Sequence, residues 1–220
     1  MPAVPYPLNK YAIVSNRFHK LQQQNPDIIG WLSIEDTVDE AVVKRDNTYY
    51  LRRDYKGYHN QNGSIFMEEN TQLKTRPYTV ILYGHNMKSG AMFGFMHHYE
   101  HVSYYQKHPF VQFDTAYEDG KYVIFAFGKI STKSYDADYL DLGKMNASTV
   151  SWRQEAIEKL MRQSIYTRTV DVQADDQILL LMTCAEDDTE RSVIAARRIR
   201  DGESEKELMQ RVQRTRLKQN

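Results

Sequence analysis

Cysteine is almost missing from this chain: Cys184 is the single one in 220 residues. One thiol excludes an internal disulfide and leaves two roles, a small buried apolar residue or a working nucleophile. Charge of either sign is not in excess, with 29 lysines and arginines against 29 aspartates and glutamates. No global basic field exists to gather nucleic acid, and no acidic surplus marks a solvating tail. No apolar run approaches the roughly 18 residues that span a bilayer. The opening MPAVPYPLNK lacks the charged-then-apolar order of a signal peptide, so the chain is expected to be soluble as it stands. Internal repeats and low-complexity linkers are absent too.

What is present is strand-forming. Hydrophobic residues make up 41% of the chain, with sixteen tyrosines among them. After GWLSI come EAVVKR, TYYLRR, GSIFME, YTVILYG, FVQFDT, KYVIFAFGKI, TRTVDV, QILLLMTC and RSVIAARRI, all separated by turn residues. Short β-branched and aromatic segments in this rhythm predict a mainly antiparallel barrel or sandwich. Helices flank and interrupt it. NKYAIVSNRFHKLQQQ carries Tyr11, Val14, Phe18 and Leu21 at helical spacing and stops at the turn before Pro26. VSWRQEAIEKLMRQSIY aligns Trp152, Ala156 and Leu160 beside Ile157, Met161 and Ile165, with Ser151 and Gln154 at capping-box spacing. SEKELMQRVQRTRLK, capped by Ser204 and Glu207, has a weaker stripe at Leu208 and Val212.

A thiol near its free pKa is mostly protonated, so a nucleophilic Cys184 needs a base or a positive environment. All seven histidines precede it. Any Cys–His pair therefore runs His first, which excludes the papain-like order. His85, in TVILYGHNMKSG, is the best placed: it follows an apolar strand, Gly84 permits a sharp exit, and Asn86 is a polar neighbour. Arg191 opens the strand after Cys184 across the loop AEDDTE, and a guanidinium stabilises a thiolate or an oxyanion. Its blander use is pairing with Glu186, Asp187, Asp188 or Glu190. Arg197 and Arg198 are further candidates, and Arg191 is preferred for its nearness to the thiol. His97 and His101, four apart, have no carboxylate–histidine array to complete a metal site, so no metal and no cofactor is expected. Thr183 is read as a substrate hydrogen-bonder or a plain strand residue, Asn86 as a substrate-orienting group or a turn cap. The Ala185 backbone N–H is a candidate oxyanion donor.

NPDIIGW (25–31), DNTYYLRRD (46–54), GSIFME (63–68), YGHNMKSGAMFG (83–94), MTC (182–184) and RSVIAARRI (191–199) together resemble a class B sortase, a cysteine transpeptidase of Gram-positive cell surfaces. The resemblance implies an eight-stranded sortase barrel at 25–200, preceded by a helical segment at 1–24 and followed by a C-terminal helix or tail at 201–220. It also implies a long helix between strands six and seven. It makes Cys184 the nucleophile, His85 the general acid and base, and Arg191 the oxyanion- or substrate-orienting residue. The implied reaction cleaves a sorting signal after threonine through a thioacyl-enzyme and passes the protein to an amine, from a cell-wall precursor or a pilin lysine. Sorting-signal-bearing surface proteins or pilins would be the partners. The setting would be the outer face of the membrane, with an anchor on the full-length protein. Leu180, Leu181 and Met182 stand where the family more often has Thr, Leu and Ser, which implies a more apolar subsite at Met182. IEDTVDEAVV lacks the family's IPGT turn. Two other readings stay open: a non-catalytic peptide-binding barrel, and a cysteine peptidase that releases its acyl group to water.

Overall fold

Strands β1 Ile28–Ile34, β2 Val38–Val43, β3 Ile65–Met67, β4 Thr79–Gly84, β5 Phe110–Thr115, β6 Lys121–Ser131, β7 Ile178–Thr183 and β8 Glu190–Arg198 close into a barrel. Their order around it is β1-β2-β3-β4-β7-β8-β6-β5. A computed structural model supplies the structure and describes residues 13–137, 139–146, 149–183 and 189–219. Closure leaves no unpaired sheet edge to template aggregation. β1 shows the period-two pattern of a strand with one face inward, alternating buried and half-buried along its length.

β4 and β7 differ, because every residue in both is buried. Continuous apolar strands covered on both faces are the signature of parallel pairing. These two do run parallel, in register from Thr79 opposite Ile178 to Gly84 opposite Thr183. β2 and β3 form a second parallel pair, and the other ladders are antiparallel. The outer cover comes from the β6–β7 connection, which carries α3 (Leu142–Met145) and α4 (Val150–Gln163). At the start of β4, Thr79 Oγ1 donates to the Met145 carbonyl at 3.0 Å, and Asn146 Oδ1 accepts from Thr79 N at 2.8 Å.

The helices follow their apolar stripes more closely than their predicted caps. Ala156, Ile157, Leu160 and Met161 of α4 are buried, while Trp152 is 50% exposed. α4 begins after Thr149, without a side-chain cap bond, so Ser151 lies inside the first turn and the predicted box does not form. Gln154 instead donates to Glu158. α5 (Glu205–Val212) starts after Ser204, also without a side-chain cap bond, and packs through buried Leu208 and Val212. α1 (Asn16–Gln22) is capped by Ser15 and inserts Phe18 into the core, and predicted member Tyr11 lies outside the described residues. α2 (Val102–Lys107) links to β5.

Two predicted strands are not strands. Tyr49–Arg52 of TYYLRR is a 3-10 turn, rooted by the buried side chain of Tyr50. TRTVDV joins no ladder, because its leading edge is occupied by the C-terminal tail: Thr167 N donates to Arg216 O, and Lys218 N to Ile165 O, both at 2.8 Å. β propensity measures fit to a pleated, half-buried surface, and both segments satisfy their aromatic or branched side chains elsewhere.

Candidate active site

Strand alternation assigns the outer face of β4 to Thr79, Ile81 and Tyr83, and the next residue of that parity is His85. On β7 the same face carries Leu180 and Met182. Thr183 ends β7; Cys184 and Ala185 follow it in sequence and lie outside the described residues, as do Glu186, Asp187 and Asp188. The positions that succeed the Gly84–Thr183 pair along their two strands are therefore His85 and Cys184. Parallel neighbours end at the same end of a barrel, so β4 and β7 finish on one rim.

His85 is half-buried and held at two points. Its ring Nε2 lies 2.8 Å from the Leu51 carbonyl of the 3-10 turn. Its own carbonyl accepts from Phe93 N at 2.9 Å. The preceding Gly84 is needed for closeness rather than for an unusual turn: its φ is not left-handed, and a Cβ there would lie 2.9 Å from the Phe93 ring.

Arg191 pairs with Ile130 across β8 and β6, and Met182 with Val193 across β7 and β8. Alternation then sets Arg191 on the face of Val193 and Met182. Its guanidinium carbon stands 5.6 Å from the centroid of the Tyr83 ring. Its Nε is buried and has no hydrogen-bond partner among the described residues. Neighbouring Glu190 lies 3.9 Å from Lys129. The other arginines are committed elsewhere. Arg197 is 0% exposed, grips Glu203 with two bonds of 2.6 and 2.7 Å, and donates from Nε to the Asp171 carbonyl. Arg198 donates to Gln177 and to the Asp119 carbonyl.

Thr183 is buried, and its Oγ1 accepts from Ser192 N at 3.0 Å, splinting the end of β7 to the strand that carries Arg191. Met182 is 1% exposed and belongs to the floor beneath the site. Asn86 is exposed and forms a backbone bridge with Met92. His97, His98 and His101 are exposed on and beside the 3-10 helix Gly94–Glu100. Burial, then the charges of His97 and His101, hold His98 below the ordinary histidine range.

A groove of about 840 Å³ is lined by Tyr83, Ile81, Tyr78 and Arg76 together with Leu142 and Asn146 of the β6–β7 connection. Tyr83 thus belongs to the groove wall and to the support of Arg191. Two members of this site escaped the sequence reading. Tyr83 had a usable signal, because it shares the strand parity of His85. The Leu51 carbonyl had none, since a main-chain acceptor carries no residue identity.

A family model described as the sortase domain matches residues 33–199. Sortase B of Staphylococcus aureus is 31% identical over 192 residues, covering 85% of this chain and 76% of that protein. Among solved structures, a Staphylococcus aureus sortase B–substrate complex aligns with a TM-score of 0.75 at 28% identity, over 89% of this chain and 90% of that one. A structure of sortase B complexed with triglycine aligns with a TM-score of 0.74 at 29% identity, over 87% and 89%.

Proposed function

The chain belongs to the sortase family, among its class B members, and on that premise we propose that Cys184, His85 and Arg191 carry its transpeptidase chemistry. Family membership makes the protein a sortase-type transpeptidase associated with the cell surface. Among the described residues, no helix is long and apolar enough to cross a membrane. The assignment of roles rests above all on the register that pairs Gly84 with Thr183. Support also comes from the buried Arg191 Nε, which meets no acceptor among the described residues.

The thiolate of Cys184 attacks the carbonyl carbon of the residue before the scissile bond, forming a C–S bond and a tetrahedral oxyanion. Arg191 has donors with which to stabilise that charge. As the C–N bond breaks, protonated His85 gives its proton to the departing amine and leaves a thioacyl-enzyme. An incoming amine then attacks the thioester, His85 takes back a proton, and the sulfur leaves as thiolate. The sorting-signal peptide occupies the groove beside Tyr83 and Ile81, and threonine precedes the cut. A sortase B complexed with triglycine supports an amine as acceptor here, of a cell-wall precursor or a pilin lysine. A membrane anchor on the full-length protein would hold the domain against these partners.

Incubating the protein with a panel of threonine-containing sorting-signal peptides and candidate amines, with mass spectrometry of the products, tests the proposal. Ligated peptide is expected, together with a trapped acyl adduct on Cys184 and none on Cys184→Ala. Hydrolysed peptide alone, with every amine present in excess, would make the protein a peptidase and overturn it.

A further inference from the structure

The motifs NPD and TYYL are not used by the reaction as written, yet they meet at the turn whose Leu51 carbonyl touches His85. Tyr50 is 1% exposed, and a phenylalanine would fill the same volume. Its hydroxyl is fully engaged instead: it accepts from Asn25 Nδ2 at 2.6 Å and donates to Asp27 Oδ2 at 2.8 Å. Asn25 Nδ2 also donates to the Tyr55 carbonyl at 2.7 Å, and Asn25 Oδ1 accepts from Asp27 N at 3.0 Å. One small network thus ties the turn before β1 to both ends of the segment around the 3-10 turn. The Tyr50 carbonyl is fixed as well, by Ser64 N at 3.0 Å.

The next carbonyl along, that of Leu51, faces His85. Gly63 closes on it from behind, at φ +62, so tightly that a Cβ there would stand 2.7 Å from the oxygen. A carbonyl oxygen can only accept, so His85 Nε2 must carry a hydrogen whether the ring is neutral or charged. A neutral imidazole then has its lone pair on Nδ1, the one nitrogen free to take or give a proton. The hydrogen bond weakens steeply with misalignment, so the tautomer depends on where the turn is held.

We propose that Tyr50, clasped by Asn25 and Asp27, is a positioning residue that holds the Leu51 carbonyl on His85 Nε2 and makes Nδ1 the proton-exchanging atom. This deepens the catalytic role assigned to His85 and rests on it. Burial pushes the Tyr50 phenol up to about 12, so the hydroxyl keeps the proton it donates to Asp27.

Nitrogen NMR of the His85 ring, recorded at alkaline pH on the intact chain, reads the tautomer without turnover. The wild type is expected to show the Nε2–H form alone. Tyr50→Phe is expected to give a mixture with the Nδ1–H form and to lower kcat about tenfold or more, with KM within twofold, since a histidine in the wrong tautomer is a poor shuttle. Gly63→Ala, which displaces the same carbonyl, should give the same mixture, and Asp27→Asn, which keeps an acceptor for the hydroxyl, should keep the single form. Tyr105→Phe is the control for simple loosening: it removes another buried hydroxyl, bonded to the Ile124 carbonyl at 2.7 Å, and should leave tautomer and kcat alone. A single Nε2–H form and full kcat in Tyr50→Phe, or an equal mixture in Tyr105→Phe, overturns the proposal. A chain that ligates no peptide removes the transpeptidase roles while the ring spectrum still decides the tautomer.

Discussion

Arg191 stands over the ring of Tyr83, its guanidinium carbon 5.6 Å from the centroid, while its Nε meets no acceptor among the described residues. A ring face holds a cation without consuming its N–H donors, for about 0.5–2 kcal/mol depending on desolvation. The donors stay available for an oxygen that gains charge during reaction. Salt-bridged Arg197 has no such reserve.

Replacing Arg191 by Ala or Lys is therefore expected to lower kcat by about 10²–10³, the usual cost of one oxyanion donor. Lys keeps the charge but not the planar fork. Tyr83→Leu should cost about tenfold through loss of the support. Because both act on one guanidinium, the double variant should be little worse than the arginine variant alone. Steady-state peptide ligation measures all three, and full additivity would separate the two residues.

Met182 tests whether the residue before the cysteine is floor or subsite. At 1% exposure, Met182→Ala should destabilise by about 2–5 kcal/mol. Met182→Leu should cost less than about 1.5 kcal/mol and leave peptide preference unchanged. Urea unfolding together with a peptide panel checks both. A changed preference in a stable Met182→Leu protein would restore the side chain to the substrate.

Gly84→Ala forces a methyl to within 2.9 Å of the Phe93 ring. Overpacking of this kind costs about 1–3 kcal/mol. The strain falls where Phe93 N holds the His85 carbonyl, so kcat should fall further than the melting temperature alone would explain. Paired thermal melts and ligation rates compare the two losses.

Stability should fall in acid through the network at the far end of β8. Arg200 bonds Asp171 and Asp176, Arg211 bonds Asp171, and Arg197 bonds Glu203. Burial pushes Glu203 up, but the Arg197 bond, the Arg200 backbone N–H and both arginine charges outweigh it and leave the carboxyl below its ordinary range. Burial likewise raises Asp171, and Arg200 and Arg197 more than reverse it. A depressed folded-state value contributes stability that is complete above the unfolded carboxylate range, near pH 4, and is lost as pH falls through the folded value. Glu203→Gln leaves the buried Arg197 guanidinium only its longer carboxylate contacts, to Asp171 at 3.6 Å and Asp176 at 4.0 Å, and should cost about 1.5–3 kcal/mol near neutrality. That deficit should shrink below about pH 4, where the wild type loses the same charge. Urea midpoints between pH 2 and 7 reveal it, and a deficit that is constant with pH would refute the assignment.

Much of this was readable in the primary structure, and the misreadings have physical causes. TYYLRR has the composition of a strand, but Tyr50 satisfies its hydroxyl by turning into a polar pocket with Asn25 and Asp27, partners about 25 residues away that no local pattern announces. TRTVDV yields its edge to residues 216–218, a pairing of still more remote origin. The Ser151 box failed because α4 starts earlier, after Thr149, which puts Ser151 inside the first turn where its side chain cannot cap.

By itself the sequence determined the chemical inventory and its order: one thiol, a histidine before it at a strand exit, an arginine opening the next strand, and the apolar rows that bury α4. Those follow from residue identity and short-range periodicity. The tertiary structure decided the parallel pairing of β4 with β7, the commitment of Arg197 to Glu203, and the Leu51 carbonyl on His85. Each of these depends on segments far apart in the chain meeting at one place, or on a main-chain atom that every residue possesses, and neither leaves a mark in a linear string of side chains.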